Sequence, residues 1–307
     1  MPAVWLDRCP DADRAQAVLP PLLEGAELWG GRNLRGLRVL VKPNLLRAVP
    51  LACTTPEVTF AVCRWLLDCG AKVKIADSPG FGTAGGVAGA VGMTEALAGL
   101  GLRVEPMRGA VPVRLASGDE VCLSATALEA DALLSVARVK AHSQMRITLS
   151  CKNLYGCVPG LRKAWHHTRQ GCVPERFAAM QAALASALPP VAGVADGIVA
   201  MHVTGPASGR PYPLGLVGVS DSPVALDEAV CLALGRRPED MPLQRAFIEA
   251  GHPDCLASGA RHSYPRLCPG DFAARDFVLP QELMHTSFRP ARLLRSCLRR
   301  LWAQLAH

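Results

Sequence analysis

The sequence predicts an α/β fold with a mainly parallel sheet flanked by helices. Short apolar runs alternate with longer amphipathic segments, which is the pattern of successive βαβ units. Half of the 307 residues are apolar and only 19% are charged, so the chain can bury a large core. Several of the apolar runs end in polar residues, as strands do where they enter loops.

The first half of the chain begins its regular pattern with a strand at residues 37–41. A helix is predicted at 56–69, because Pro56 suits a first helical turn and Gly70 suits a helix end. The following elements, in order, are a strand at 72–76, a short helix at 93–100, a strand at 102–105, and a hairpin formed by 111–115 and 120–123.

The second half continues this alternation up to residue 250, so the α/β core domain is predicted at 1–250. Alanine-rich and amphipathic stretches predict helices, and the apolar runs between them predict strands. In order these are a strand at 132–136, a helix at 174–188, strands at 191–195 and 214–219, and a helix at 223–234.

The last part of the chain has a different pattern. Prolines interrupt residues 251–288, which are predicted to form an irregular extension wrapped over the core domain. At 289–307 apolar residues recur at helical spacing and arginines lie on other faces, which predicts a basic amphipathic helix. This helix is expected to pack on the protein itself or to contact a partner protein or an anionic membrane surface.

Composition argues against several classes of protein. Aromatic residues make up only 5% of the chain, too few for the base-stacking platforms of nucleic-acid-binding proteins. No apolar stretch approaches the roughly 20 residues of a spanning helix, and no signal peptide is recognisable, which predicts a cytoplasmic location. The twelve cysteines include no Cys-x-x-Cys pair, so they are interpreted as buried apolar residues of a reducing compartment.

Lysine is rare, and its positions are informative. Only six of the 33 basic residues are lysines, and four of them lie in short polar motifs: Lys42, Lys140, Lys152 and Lys163. Codon bias toward arginine explains why lysine is scarce, but it explains less well where the remaining lysines fall. Because lysine can lose its proton when buried whereas arginine stays charged, these positions predict a site that uses ammonium chemistry.

The polar residues that follow the predicted strands supply the candidate site. If the strands are parallel, their carboxyl ends meet at one edge of the sheet, where ligands of open α/β sheets bind. The lysines would hold a carboxylate or phosphate, a histidine would move a proton, and an aspartate would orient that histidine. The ligand-binding candidates are Lys42, Asn44, Lys140, Lys152, Asn153 and Lys163, and the catalytic candidates are His142, His166, Asp77 and Asp196.

Other kinds of site have weaker signals. Gly80-Phe-Gly82-Thr-Ala-Gly85 matches the glycine fingerprint for dinucleotides, but such a loop can equally hold a simple anion. A metal is assigned to none of the residues, although histidine nitrogens suit zinc or iron. The metal-site alternatives considered are the set His142, His166 and His167, and the set His252, Cys255, His262 and Cys268.

Several short motifs occur in order between about residues 36 and 235. They are Val41-Lys-Pro-Asn44, Thr55-Pro-Glu57, Asp77-Ser-Pro-Gly80, Lys140-Ala-His142, Lys152-Asn-Leu-Tyr-Gly156 with Pro159-Gly160, Asp196-Gly197, Gly205-Pro206 with Gly209, and Asp221 with Asp227. Together they resemble the domain-of-unknown-function 362 family. The resemblance implies a redox or anaerobic context, since many relatives carry a ferredoxin-like iron–sulfur module, but this chain lacks the cysteine run of that module.

The sequence therefore predicts a protein that binds a small anionic metabolite and transforms it by lysine and histidine acid–base chemistry. The alternative is a non-catalytic or redox accessory protein that docks a metal, an iron–sulfur cluster or an electron-transfer partner. The sequence names no cofactor, leaves open whether the protein is an enzyme, and predicts no nucleic-acid partner.

Overall fold

The computed structural model of the protein describes residues 1–160, 163 and 173–283. Its strands lie where apolar and β-branched residues alternate or run together. They are β1 (Val4–Arg8), β2 (Arg38–Pro43), β3 (Lys72–Asp77), β4 (Val104–Pro106), β5 (Val111–Arg114), β6 (Glu120–Leu123), β7 (Ala132–His142), β8 (Arg146–Thr148), β9 (Val191–His202), β10 (Arg210–Tyr212) and β11 (Leu216–Ser220).

The helices of the described residues are mostly short, and several begin with proline in the first turn. They are α1 (Ala15–Gly25), α2 (Pro56–Asp68), α3 (Ala84–Ala90), α4 (Met93–Ala98), α5 (Ala125–Leu128), α6 (Ser150–Asn153), α7 (Pro174–Ala185), α8 (Pro223–Ala233) and α9 (Pro242–Glu249). None of them combines the length and the apolar character that a membrane-spanning helix needs.

The main sheet has the strand order β1-β11-β9-β7-β2-β3-β4, with β8 added to β7 and β10 added to β9. From β9 to β4 the neighbouring strands on this path are parallel, so their carboxyl ends meet at one edge. The prediction of a mainly parallel sheet flanked by helices is confirmed. β11 runs antiparallel to β9, so Asp221, which follows β11, lies at the opposite edge from Lys42.

The strands β7 and β9 are much longer than the predicted strands at 132–136 and 191–195. Pro43 at the end of β2 pairs with Val136, and β7 then continues to His142 beyond the end of its neighbour. In this continuation the polar residues Arg138 and Lys140 alternate with buried apolar ones. The sequence pattern is thus that of a strand, whereas the prediction assigns its polar residues to the loop that follows.

The sheet separates two helical layers. Val39 and Val41 of β2 pack with α1 to α4 on one face. Leu40, from the same strand, packs on the other face with residues of α5, α7 and α9, and with the turn that follows α6. A third cluster joins α8 to β1, β11 and the long ends of β7 and β9. The alternation along β2 therefore places Lys42 on the same side of its strand as Leu40.

The predicted hairpin is present as β5 and β6, which pair from Val111 with Leu123 to Arg114 with Glu120. Beyond α9, residues 251–283 contain two 3₁₀ turns and contact β1 through isolated bridges at Ser263 and Leu267. A separate extension beginning at residue 251 stays a prediction. The helix predicted at 289–307 lies outside the described residues.

Candidate functional site

The carboxyl ends of β2 and β3 carry a buried ion pair. Lys42 Nζ donates to Asp77 Oδ1 at 2.6 Å, and both side chains are almost completely buried. The same ammonium also donates to Asn153 Oδ1 and to the Pro43 carbonyl oxygen, each at 3.0 Å. Three acceptors match the three N–H donors of an ammonium group, so Lys42 is fully hydrogen-bonded by the protein itself.

Asp77 binds backbone as well as Lys42. Its Oδ2 accepts from the Leu45 amide at 2.7 Å, and its Oδ1 also accepts from the Ser78 amide at 2.8 Å. These contacts hold the turn after β2 against the turn after β3. Among the described residues, the partners of Asp77 are Lys42 and these two backbone amides, and its predicted role in orienting a histidine stays a prediction.

Asn153, the last residue of α6, binds the other side of Lys42. Its Oδ1 also accepts from Asn44 Nδ2 at 2.9 Å, and its Nδ2 donates to the Lys42 carbonyl at 3.0 Å and to Ser135 Oγ at 3.1 Å. One amide therefore bonds to β2, to the turn after β2, and to β7. Its contact with Ser135 was not predicted, because Ser135 lies within an apolar run.

The helix α6 is held in place by α8. The Asp227 carboxylate accepts from the amides of Ser150 and Cys151 at 2.8 and 2.9 Å, which satisfies two N–H groups of the first turn of α6. Burial raises the pKa of Asp227 to about 7. The motif aspartates Asp221 and Asp227 both bind backbone amides, since Asp221 accepts from Trp29 and Gly30 near the end of α1.

Gly156 allows the turn after α6 to approach the ion pair closely. A Cβ atom at this position would overlap the Lys42 side chain and would lie 2.6 Å from Asp77 Oδ1. The glycine of Lys152-Asn-Leu-Tyr-Gly156 is therefore required by a close approach of backbone to side chain. The turn then leads to Tyr155 and Cys157, which are buried against the core on the same face.

The other three motif lysines have fewer partners than Lys42. Lys140 Nζ donates to the Ala52 carbonyl at 2.6 Å, and Lys163 Nζ donates to the Ser78 carbonyl. Lys152 forms no hydrogen bond with the described residues, and its Nζ lies 5.1 Å from the centre of the Tyr155 ring. These three ammonium groups thus retain N–H donors that the described residues do not use.

The lysines are electrostatically coupled. Burial lowers the pKa of Lys140 and of Lys163 to about 7, and that of Lys152 to about 8. The positive charge of Lys42 further lowers the pKa values of Lys152 and Lys163, and the charge of Lys152 lowers those of Lys140 and Lys163. The four lysines, 121 positions apart at the extremes (163 minus 42), therefore act on one another. We call them the lysine cluster.

Asp196 belongs to a neighbouring group of polar contacts. Its Oδ2 accepts from the Thr55 amide at 2.7 Å, at the start of α2, and lies 3.5 Å from Arg138 Nε. Arg138 also donates to the carbonyls of Cys53 and Val199. The segment that binds Lys140 through Ala52 is thus fixed by Arg138 and Asp196. Arg138 was not a candidate, although its alternation with Lys140 and His142 indicated a shared side of β7.

His142 ends β7 and is buried. Its Nδ1 accepts from the amides of Gln144 and Met145 at 3.1 and 3.3 Å, so a neutral ring carries its proton on Nε2. The other candidate, His166, lies outside the described residues, as does His167. Among the residues that the structure describes, no group of three or more His, Cys, Asp or Glu side chains is arranged to hold a metal ion.

The glycine-rich segment after β3 has a structural explanation. Thr83 Oγ accepts from the Gly86 amide at 3.1 Å and caps α3, and Gly82 has φ +85°, which favours glycine. A Cβ at Gly80 would lie 2.9 Å from Leu46 Cδ1. Of the fingerprint glycines, Gly82 thus serves a tight turn and Gly80 a close packing contact, whereas a Cβ at Gly85 would meet nothing within 4 Å.

Comparison with known proteins shows the family. The model of the family described as "Domain of unknown function (DUF362)" matches residues 39–232. The chain belongs to the DUF362 family. A thylakoid-associated protein of Synechocystis is 34% identical over 290 residues, which is 93% of this chain and 89% of the relative. The DUF362 motifs at 41–44, 77–80 and 152–156 are those that build the ion pair and its surroundings.

Solved structures give more distant likenesses to this DUF362 protein. The lactate racemase apoprotein of Thermoanaerobacterium thermosaccharolyticum has a TM-score of 0.43 and 15% identity, covering 63% of this chain and 50% of that chain. A protein of Thermotoga maritima has a TM-score of 0.39 and 11% identity, covering 81% of this chain and 59% of that chain. At these TM-scores neither likeness carries an argument about function.

Proposed function

We propose that the protein binds a small molecule bearing a carboxylate or phosphate group at the lysine cluster and transforms it by acid–base chemistry. The observation that supports this most directly is the difference between Lys42 and its neighbours. Lys42 has three acceptors, whereas Lys140, Lys152 and Lys163 keep N–H donors that the described residues do not use. An anion placed among them would supply both the missing acceptors and the missing negative charge.

In this proposal the residues divide into two roles. Lys140, Lys152 and Lys163 contact the anion, and Lys42, Asn44, Asp77 and Asn153 fix the surrounding turns. His142 acts as a hydrogen-bond donor through Nε2–H, because backbone amides occupy the Nδ1 lone pair at which the neutral ring would take up a proton. Asp196 orients the segment at 52–55. His166 keeps its proposed role as the proton carrier, on the strength of the sequence alone.

Calorimetry and thermal melts with inorganic phosphate, propionate and succinate test the binding step. We expect at least one of these anions to bind with saturation and to raise Tm. Lys152→Met removes one charge-assisted hydrogen bond, which costs about 1.5–3 kcal/mol, or roughly 10- to 150-fold in Kd.

Lys74→Met is the matched control, since Lys74 is an exposed lysine of β3 that reaches only Glu105. It should leave Kd unchanged. The proposal fails if none of the anions binds, or if Lys152→Met and Lys140→Met bind as well as the control does.

Metal analysis of protein purified without oxygen addresses the redox alternative: stoichiometric iron would favour a docked metal or cluster over the anion.

A further inference from the structure

We infer that the Lys152 amine condenses with the carbonyl carbon of a 2-oxo acid or a related carboxylate with a reactive carbonyl. This inference rests on the proposed anion site and names the class of ligand that it takes. The product is an imine between Lys152 Nζ and the former carbonyl carbon, with the carboxylate of the ligand held by the remaining cations.

The first support is the surroundings of the amine. A lysine can attack a carbonyl only when its nitrogen lone pair is free, so an ammonium held by several acceptors is a poor nucleophile. Lys42 has three such acceptors, and Lys140 and Lys163 each donate to a backbone carbonyl. Lys152 has no hydrogen bond to the described residues and remains partly exposed, so a ligand can reach it.

The second support is the charge around Lys152. Lys42 lies close enough to lower its pKa, and Lys140 and Lys163 are the other cations coupled to it. The carboxylate of Asp77 is already paired with Lys42 at 2.6 Å. With the pKa of Lys152 at about 8, about a tenth of this amine is neutral at pH 7, compared with roughly 0.03% for an ordinary lysine.

The third support is the presence of a second and a third cation beside the nucleophile. A 2-oxo acid carries its carboxylate on the atom next to the carbonyl carbon. Lys140 and Lys163 keep donors that the described residues do not use, so one of them can bind that carboxylate while Lys152 attacks the carbonyl. The bound carboxylate itself favours the protonated form of the lysine that holds it. A neutral aldehyde or ketone would gain nothing from these cations, which is why the inference is restricted to anionic carbonyl compounds.

The step balances without an oxidant or a reductant. Neutral Lys152 Nζ forms a bond to the carbonyl carbon, and the carbonyl oxygen takes a proton to give a carbinolamine. The nitrogen gives up both of its protons in the course of the reaction, and the hydroxyl group takes a further proton and leaves as water. The bond that breaks is between carbon and oxygen, and the bond that forms is a carbon–nitrogen double bond.

Reductive trapping tests the inference. The full-length protein is incubated at pH 8 with glyoxylate, pyruvate or 2-oxoglutarate and sodium cyanoborohydride, and is then digested and analysed by mass spectrometry. We expect a reduced secondary-amine adduct on the peptide that contains Lys152, with at least one of the three acids. Exposed Lys72 and Lys74 in the same digest report the background reaction.

Two variants make the result specific. Lys152→Arg keeps the positive charge without the nucleophile and should lose the adduct. Lys74→Met should trap like the unmodified protein. Thermal melts check that both variants are folded. If Lys152→Arg melts at a much lower temperature, the digest of the unmodified protein still tests the inference. Mass spectrometry of its peptides shows which lysine carries the adduct.

The outcomes separate the inference from the proposed function. Propionate binding without an adduct at Lys152 for any of the three acids overturns the imine and leaves the anion site standing. An adduct no more abundant at Lys152 than at Lys72 or Lys74 also overturns the imine. Absence of both binding and adduct overturns the imine and the anion site together.

Discussion

Lys42 illustrates how the role of a charged residue is decided by its partners rather than by its type. In the sequence it looks like Lys152, since both follow apolar segments in short polar motifs. In the structure Lys42 is 1% exposed, and all three of its N–H donors are hydrogen-bonded within the protein. No N–H donor of Lys152 is hydrogen-bonded to the described residues. No sequence pattern distinguishes the two cases, because the acceptors come from α6 and β3.

This difference predicts opposite effects for two similar substitutions. Lys42→Met leaves the Asp77 carboxylate buried without its cation, so we expect the free energy of unfolding to fall by about 3–5 kcal/mol. Lys152→Met removes an ammonium that forms no hydrogen bond with the described residues and should cost far less. Urea unfolding at pH 7 measures both.

The double variant Lys42→Met with Asp77→Asn is the control for the ion pair. It removes both charges and keeps a group that can bind part of the same backbone, so it should recover part of the lost stability. If Lys42→Met unfolds at the same urea concentration as the unmodified protein, the buried pair does not stabilise the fold.

At the scale of elements, the alternation of β-strands and helices was predictable, and the lengths of the strands were not. The predicted strands at 132–136 and 191–195 end shortly before the first charged residue, whereas β7 and β9 continue well beyond it. Arg138 and Lys140 lie in the extended part of β7 because backbone carbonyls of the segment before α2 accept from them. β1 and the direction of β11 were also missed, since a short strand carries no mark of its direction.

The turn after α6 supplies a prediction about Gly156. Gly156→Ala places a methyl group against Lys42 and Asp77, so we expect a loss of about 1–3 kcal/mol, the usual cost of overpacking. Urea unfolding gives the size of the loss, and anion binding should weaken with it because the cluster is displaced.

Gly99→Ala is a suitable control. Gly99 ends α4 with a right-handed backbone conformation, and a Cβ there meets nothing within 4 Å. It should be neutral or should stabilise by about 0.4–1 kcal/mol. Equal effects of the two substitutions would show that the contact of Gly156 with the ion pair is unimportant.

At the scale of the whole molecule, the sheet topology brings distant motifs together. Lys42, Asp77 and Lys140 lie at or near the carboxyl ends of different parallel strands, and that arrangement was predictable from the βαβ pattern. The contribution of α6 was not, because its position depends on Asp227 of α8. The sequence therefore predicts that these motifs lie close together. Which lysines are hydrogen-bonded within the protein, and which keep donors for a ligand, is known only from the contacts in the structure.

The buried lysines predict a pH dependence of the whole fold. The pKa values of Lys140, Lys152 and Lys163 lie between about 7 and 8 in the folded protein, below the ordinary value for lysine in the unfolded chain. Between pH 7 and about 10 these lysines therefore bind more protons in the unfolded chain than in the folded protein. Their contribution to the free energy of unfolding should consequently rise with pH over this range.

A bound anion should reverse this trend, since it favours the charged lysines. Melts from pH 6 to pH 10, with and without a saturating anion, measure the effect: the anion should raise Tm most at low pH and progressively less above pH 8. An anion effect that does not change over this range would contradict the contribution of the lysines. The triple variant with methionine at all three positions should show neither trend.

The saturation of Lys42 also constrains how this chain can evolve. Its ammonium is shared by the end of β3, by α6 and by its own strand, and Gly156 closes over it. Replacing any one of these residues leaves polar groups of the others without hydrogen-bond partners. Single substitutions here therefore lower the stability of the fold, and only joint changes are neutral. Descendants of this protein should thus inherit positions 42, 77, 153 and 156 as a unit, while Lys152 is free to change whenever the ligand does.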